Sequence, residues 1–343
     1  MSNGEEMLRV EDLHVSFKTY AGVNQAVRGV DFTLNKGETL AIVGESGCGK
    51  TVSSKAIMGI LPDQAILGEK SQIFFEGRDL LQLSEKEMSE IRGRDISMIF
   101  QDPMTSLNPT MKIGKQIAES IVIHHKTTEQ EAEKKALEML ELVRIPNAKE
   151  RMKQYPHEFS GGMRQRAMIA IALACKPKIL IADEPTTALD VTIQAQIMEL
   201  IGDLQKELNM GVILVTHDLG VVASVADKIQ VMYAGEILER GSVNEIFYHP
   251  SHPYTLALLR SVPKLSTQNK ETLYSLKGTP PDLINPPTGC PFAARCDYGM
   301  CVCRKSAPQT TVLSSTQSSA CWLHDPRADR SNLPEYFQVG GEN

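Results

Sequence analysis

An α/β fold built on a parallel sheet is what this chain predicts, and three observations carry the prediction. Short continuous apolar runs, "KILIADEP" and "GVILVTHD", read as strands buried on both faces of a parallel sheet. They alternate with helix-forming stretches such as "IQAQIMELIGDLQKEL", the pattern of α/β layering. In "ETLAIVGESGCGKTVSSKAIMGIL" an apolar strand, a glycine loop and a helix follow one another directly.

The other elements fall in order around that frame. "LRVEDLHVSF" and "AVRGVDFTL" alternate apolar and polar residues, as half-buried strands do. Residues 128–143, "TEQEAEKKALEMLELV", predict an amphipathic helix with Ala136, Met139, Leu140 and Val143 on one face. Beyond about residue 250 the texture changes. "HPSHPYTLALLRSVPK" predicts a short helix between proline breaks, and "GTPPDLINPPTG" is too turn-rich for long regular structure. A boundary near 250 divides the chain into 1–250 and 251–343.

Composition narrows the function classes. Net charge is −6 with both signs interspersed, which argues against nucleic acid as a partner. The most apolar run, "AMIAIALAC" (167–175), has about half the length a bilayer span needs. The opening "MSNGEEMLRVED" is acidic and polar, unlike a signal or transit peptide, so a cytoplasmic location is expected, where thiols stay reduced.

"GESGCGKT" (44–51) fits G-x-x-x-x-G-K-[ST] in full. Gly44, Ser46, Gly47, Cys48 and Gly49 are expected to bring backbone N–H groups around phosphate oxygens at a helix N-terminus. Lys50 is expected to reach the β- and γ-phosphates and Thr51 to join a Mg²⁺ shell. Asp183 ends the strand in "ILIADE", where a carboxylate can hold Mg²⁺ through water, and Glu184 follows, placed to polarise an attacking water. "FSGGMRQRAMIAIALA" (159–174) adds a second anion-binding helix start at Ser160, Gly161 and Gly162. An isolated Ser-Gly-Gly would be an ordinary N-cap, so the ordered set decides its meaning. Gln101 in "MIFQDP", Asp190 in "TTALD" and His217 in "VTHD" complete that set.

The whole resembles the ATP-binding subunit of ABC transporters over about residues 8–250. The resemblance implies a P-loop ABC-type ATPase core, a RecA-like parallel sheet plus an antiparallel β subdomain, with an α-helical subdomain inserted at about 102–165. It makes ATP and Mg²⁺ the cofactors and Glu184, Gln101 and His217 the catalytic set. Gln101 then senses Mg²⁺ and water and couples to a membrane domain, Asp190 is the D-loop aspartate, and His217 touches the γ-phosphate. Phe17 is implied to stack on adenine, with Tyr20 as its rival. The fifth signature residue is Met163 where the family usually has Gln. Two subunits are implied to sandwich two nucleotides, and separate permease chains to cross the membrane.

"QDPMTSLNPTMKIGKQI" (101–117), "HPYTLALLRSVP" (252–263) and "GTPPDLINPPTGCPFAARC" are similar to the oligopeptide/dipeptide importer branch, the "D"-type subunit. That likeness implies peptide import at the cytoplasmic face of the membrane. Its implied partners are an "F"-type ATPase or a second copy, two permeases and, indirectly, an extracellular peptide-binding protein. A nickel importer or a soluble non-transport ABC ATPase are the alternatives.

Five of the seven cysteines lie in the tail, four of them in "CPFAARCDYGMCVC" (290–303). Three readings stand: packed reduced thiols, zinc, or an iron–sulfur cluster. The resemblance implies a [4Fe–4S] cluster on Cys290, Cys296, Cys303 and Cys321, leaving Cys301 spare. Cys48 sits among N–H donors beside Lys50, which predicts a lowered thiol pKa and inactivation by alkylation that ATP prevents. Cys175 is expected in the core.

Overall fold

The computed structural model describes residues 5–102, 106–187, 189–261, 276–337 and 339. Parts of "QDPMTSLNPTMKIGKQI" and of "HPYTLALLRSVP", residues 103–105 and 262–263, lie outside them.

Two long strands open the chain, β1 (Glu6–Thr19) and β2 (Gly22–Asn35), paired antiparallel with several bulges. β3 (Thr39–Val43) precedes the glycine loop and the helix Lys50–Ile57. β4 (Ala65–Leu67) and β5 (Gln72–Phe75) return to pair with β1, and β6 (Arg78–Asp79) pairs with β5. These strands, without β3, make an antiparallel sheet in the order β2-β1-β5-β6 with β4 also on β1.

The second sheet holds the chemistry. β3, β7 (Ile96–Ile99), β8 (Ile179–Asp183), β9 (Gly211–Thr216) and β10 (Lys228–Tyr233) are parallel neighbours in the order β10-β3-β9-β8-β7. Every residue of β3, β7, β8 and β9 is buried, as the continuous apolar runs predict. Side-chain alternation deals them to two cores. Leu40, Ile42, Ile179, Ile181, Ile213 and Val215 face the antiparallel sheet, while Ala41, Val43, Leu180, Ala182, Val212 and Leu214 face the helices.

Between β7 and β8 lie the helices Ile113–His125, Glu129–Leu142, Ala148–Arg151 and Gly161–Leu173. Thr128 and Glu131 cap the second of these reciprocally, and Ala136, Met139, Leu140 and Val143 are all buried on its inner face. The helix Val191–Leu208 joins β8 to β9 and stops at Asn209, whose φ of +50° is the left-handed turn that ends helices.

The tail joins the same body. β11 (Glu236–Ser242) pairs antiparallel with β10, and β13 (Ser318–Ala320) pairs with β11 and with β12 (Thr310–Val312), so the eight-stranded sheet runs on past residue 250. The helix Pro253–Ser261 begins at a proline, which suits a first helical position. Glu239, 1% exposed, ties the two parts. It accepts from Ser251 N–H (2.7 Å), Ser251 hydroxyl (2.8 Å), His252 N–H (2.9 Å) and the Gln317 amide (3.2 Å). Cys290, Phe292 and Cys303 belong to the helix-side core.

Candidate functional site

Four neighbouring parallel strands end on one edge of the sheet, and their carboxyl ends deliver most of the expected residues. The glycine loop follows β3, Gln101 follows β7, Asp183 and Glu184 close β8, and His217 follows β9. Open α/β sheets bind ligands at this edge because the loops there converge while the strands hold them rigidly.

The loop needs its glycines. Gly44 has φ +156°, and a Cβ there would stand 2.1 Å from the Met232 carbonyl oxygen. Gly49, φ +108°, would meet the Ala26 oxygen at 2.4 Å. Lys50 is 5% exposed and folds its ammonium onto the loop, donating to the Gly44 oxygen at 2.8 Å and the Glu45 oxygen at 3.0 Å. A cleft of about 150 Å³ opens beside it, lined by Ala26, Ser46, Gly47, Lys50, Thr51, Gln101 and Glu184 among others.

Around that cleft the carboxylates are set differently. Thr51 hydroxyl donates to Asp183 Oδ1 at 2.9 Å. Burial pushes the Asp183 carboxyl up, more than the Thr51 bond pulls it down. Such a group is stabilised as an anion once a cation arrives, which fits a divalent-metal position with Thr51 as the neighbouring oxygen. Glu184 behaves oppositely. Burial pushes it up, but hydrogen bonds from His217 and Thr187 outweigh that and hold it below the usual carboxylate range. Its oxygens accept from Gln101 Nε2 (2.9 Å) and Thr187 hydroxyl (3.0 Å), and His217 Nδ1 lies 3.2 Å away. Glu184 also sits at φ +46°, a conformation a non-glycine residue keeps only when its surroundings impose it; its N–H is fixed on the Val215 oxygen at 2.8 Å. Gln101, Glu184 and His217 thus form one hydrogen-bonded group at the cleft, able to orient a water and accept its proton.

Ser160, Gly161 and Gly162 do not line this cleft. Ser160 caps the helix Gly161–Leu173 and Asp190 caps Val191–Leu208, its Oδ1 accepting from Ile193 N–H at 2.9 Å. The two helix starts abut: a Cβ on Gly162 would touch Ile193 at 3.0 Å and one on Gly161 would touch Leu189 at 3.7 Å. Ser160 and Asp190 are both exposed. Phe17 is half-buried in the antiparallel-sheet core and Tyr20 wholly exposed; neither lines the cleft.

Cys48 corrects an expectation. It is 5% exposed, and burial raises its thiol pKa more strongly than Lys50, with its ammonium 3.8 Å from the sulfur, lowers it. The loop's donors do not make a reactive thiolate because the side chain points into the core. Cys175 is buried as expected.

In the tail, Cys290, Cys296, Cys303 and Cys321 all line one cavity, walled by His252, Phe292 and Trp322, while Cys301 lies outside it and exposed. Burial pushes Cys290 up to about 11 and Cys296 up to about 12, and each is raised further by neighbouring cysteines of the group. The space is small, about 10 Å³, and among the described residues no group of three or more His, Cys, Asp or Glu is placed to hold a metal ion. The four expected cysteines are brought to one space, without a metal-holding arrangement of their side chains among the described residues.

Three residues at the cleft's border were not expected from the sequence. Glu45, Tyr254 and Arg295 form one contact, with the Glu45 N–H donating to the Tyr254 hydroxyl at 2.9 Å and Arg295 forked onto the Glu45 carboxylate. Tyr254 and Arg295 lie 209 and 250 positions from Glu45, and no local pattern marks the contact.

Comparisons with known proteins agree with this geometry. Residues 27–187 match the family model "ABC transporter", and residues 238–303 match "Oligopeptide/dipeptide transporter, C-terminal region". The chain is 58% identical over 96% of its length to the dipeptide transport ATP-binding protein DppD of Bacillus subtilis, covering 98% of that relative. It is 57% identical, again over 96% of its length, to the oligopeptide transport ATP-binding protein OppD of the same organism, covering 92% of it. Among solved structures, the post-hydrolysis dimer of the ATP-binding cassette MJ0796 bound to ADP and Pi superposes with TM-score 0.62 at 26% identity, covering 69% of this chain and 99% of that one. The cbiO1 subunit from Clostridium perfringens gives TM-score 0.60 at 29% identity, covering 71% of this chain and 91% of that one.

Proposed function

This chain belongs to the ATP-binding subunits of ABC transporters, in their oligopeptide/dipeptide branch, and we propose that it hydrolyses ATP to drive peptide import through separate permease chains. The observation that carries the reading is near-full-length identity to dipeptide and oligopeptide transport ATP-binding proteins, joined to the phosphate loop and Gln101–Glu184–His217 group at one sheet edge. None of its described helices is long and apolar enough to cross a membrane, which is consistent with a peripheral subunit on the cytoplasmic face.

The roles follow from the geometry. The loop 44–51 binds the phosphates, with Lys50 leaving the Gly44 and Glu45 oxygens for the β- and γ-phosphates. Thr51, Asp183 and Gln101 hold Mg²⁺, which neutralises charge on the phosphates when bound. Glu184, kept ionised, takes the proton of the attacking water, and Gln101 and His217 fix its carboxylate. Phe17 stacks on adenine. Ser160, Gly161 and Asp190 are exposed, Gly162 is half-buried beside them, and in this proposal the group completes the site of a partner ATPase, either an "F"-type chain or a second copy, in a nucleotide sandwich. The division into 1–250, with helices over about 102–165, and 251–343 belongs to the same proposal.

We place a [4Fe–4S] cluster on Cys290, Cys296, Cys303 and Cys321 as its structural cofactor. Four thiols facing one buried space support it, and no disulfide competes for them. Cluster binding would release the protons that burial keeps on Cys290, Cys296 and Cys321.

Uptake of labelled dipeptide by cells or vesicles carrying the intact transporter tests the function. Deleting this chain should abolish ATP-dependent uptake, and restoring it should recover it. Unchanged peptide uptake together with lost nickel uptake would overturn the peptide reading in favour of a metal importer.

A further inference from the structure

The second residue of the phosphate loop is held by the tail. Arg295, one position before Cys296, places Nη2 2.9 Å from Glu45 Oε1 and Nη1 on Oε2. Nη1 also donates to the Tyr233 hydroxyl at 3.1 Å, and Nε donates to the Lys277 oxygen at 2.8 Å. From the other side the Tyr254 hydroxyl accepts the Glu45 N–H at 2.9 Å, and Lys50 donates to the Glu45 carbonyl at 3.0 Å. Glu45 is therefore fixed through its amide, its carbonyl and its carboxylate at once.

The holders are themselves rigid. The Arg295 side chain is 5% exposed and Tyr254 is fully buried. Tyr254 packs on Tyr233 (ring centroids 4.6 Å apart) and on Phe292 (5.2 Å), and Phe292 is two residues past Cys290. Two residues before Tyr254, His252 lines the cysteine cavity. The Arg295 end of the pair is buried and the Glu45 end 27% exposed, and the bidentate fork contributes fixed geometry as well as attraction. The loop it fixes has three glycines at positive φ and would otherwise lose considerable freedom on closing around phosphate.

We propose that Arg295 and Tyr254 are positioning residues for nucleotide binding: through Glu45 they hold the phosphate loop in its binding shape, so that the packing of the cysteine tail sets nucleotide affinity. The proposal rests on the nucleotide-binding reading and goes beyond it by assigning the tail a part in the ATP site.

The test is equilibrium binding of a fluorescent ATP analogue with Mg²⁺, and KM and kcat for ATP in the assembled transporter. The variants are Arg295→Gln, Tyr254→Phe, Glu45→Gln and the double variant Arg295→Gln/Glu45→Gln. Arg295→Gln should raise Kd and KM by about tenfold, the size of one lost charged hydrogen-bond pair, while kcat changes less than about twofold. Tyr254→Phe should act in the same direction by about threefold. The double variant should be no worse than Arg295→Gln alone, because both break one link. An unchanged Kd in folded Arg295→Gln, or additive losses in the double variant, would overturn the proposal. If Arg295→Gln does not fold, Arg295→Lys keeps the charge and loses the fork, and an unchanged Kd there overturns it equally. Wild-type protein that binds no nucleotide would instead sink the functional reading itself.

Discussion

The nucleotide cleft and the cysteine cavity are both constellations of polar groups, yet they are built on opposite plans. Around the cleft, loop 44–51, Gln101, Glu184 and His217 hang from the ends of four adjacent strands that are buried throughout. Around the cavity, Cys290, Cys296, Cys303 and Cys321 come from turns, one five-residue helix and the edge of a three-residue strand. Paired strands carry the first site, and side chains such as Arg295 and Tyr254 add to its fixation. The second is shaped by side-chain packing. A sheet edge thus gives a site that stands before its ligand arrives, whereas a loop-built site takes its final form from the ligand.

The sharpest way to separate the two is to strike each at its chemical centre. Glu184→Gln keeps the hydrogen-bonding shape and removes the base, so ATP turnover should fall by about 10²–10⁴-fold with nucleotide binding retained. Phosphate release and analogue binding on the same preparation measure it, and loss of binding together with turnover would show that Glu184 holds the cleft's shape as well. Cys303→Ser should do the reverse. Iron, sulfide and zinc analysis after anaerobic purification should find the metal of the wild type gone, and limited proteolysis should cut the tail first while residues 6–242 stay protected. Metal-free wild type would reduce the four cysteines to packing. The exposed Cys301→Ser should leave the metal content unchanged, and this sharpens the contrast.

Smaller effects probe the seam between the regions. Burial lifts the fully enclosed Glu239 to about 7, well above the usual carboxylate range. Between about pH 4.5 and 7 the folded chain then binds the proton that the unfolded chain has released, so this residue makes stability decline as pH rises through that window. Glu239→Gln should remove that share of the decline, read as a flatter dependence of Tm on pH; an unaltered slope would place the titration elsewhere. Smallest of all is a difference in thiol labelling. In native protein without metal, alkylation followed by mass spectrometry should mark exposed Cys301 first and buried Cys48 and Cys175 last. Rapid labelling of Cys48 would reverse the correction made for the phosphate loop.

Legibility in the sequence tracked the same difference. "KILIADE" and "GVILVTHD" gave away both a strand and the chemistry at its end, because in a parallel sheet the residue after the last apolar position is the one presented to the ligand. The amphipathic helix over 128–143 was legible for a related reason: Thr128, Glu131 and the apolar stripe are a local code for where a helix starts and which face it buries. The reactivity assigned to Cys48 failed because neighbours in sequence, Lys50 and the loop amides, were visible while burial was not. "HPYTLALL" read as a short helix and as a likeness to the importer branch, with nothing in it to show a contact with the phosphate loop. Only folding brought Tyr254 to an amide 209 positions away and Arg295 to a carboxylate 250 positions away.

By itself the sequence determined the α/β class, the phosphate loop, the order of acidic, amide and imidazole groups at the strand ends, and the count of thiols in the tail. These are properties of short stretches, where backbone propensity and side-chain period act over a few residues. Tertiary structure alone decided that the tail's strands join the main sheet, that the phosphate-loop cysteine is buried, and that the tail grips the phosphate loop through Glu45. Such contacts between distant positions are fixed by which surfaces meet when the core closes, and no local pattern encodes that meeting.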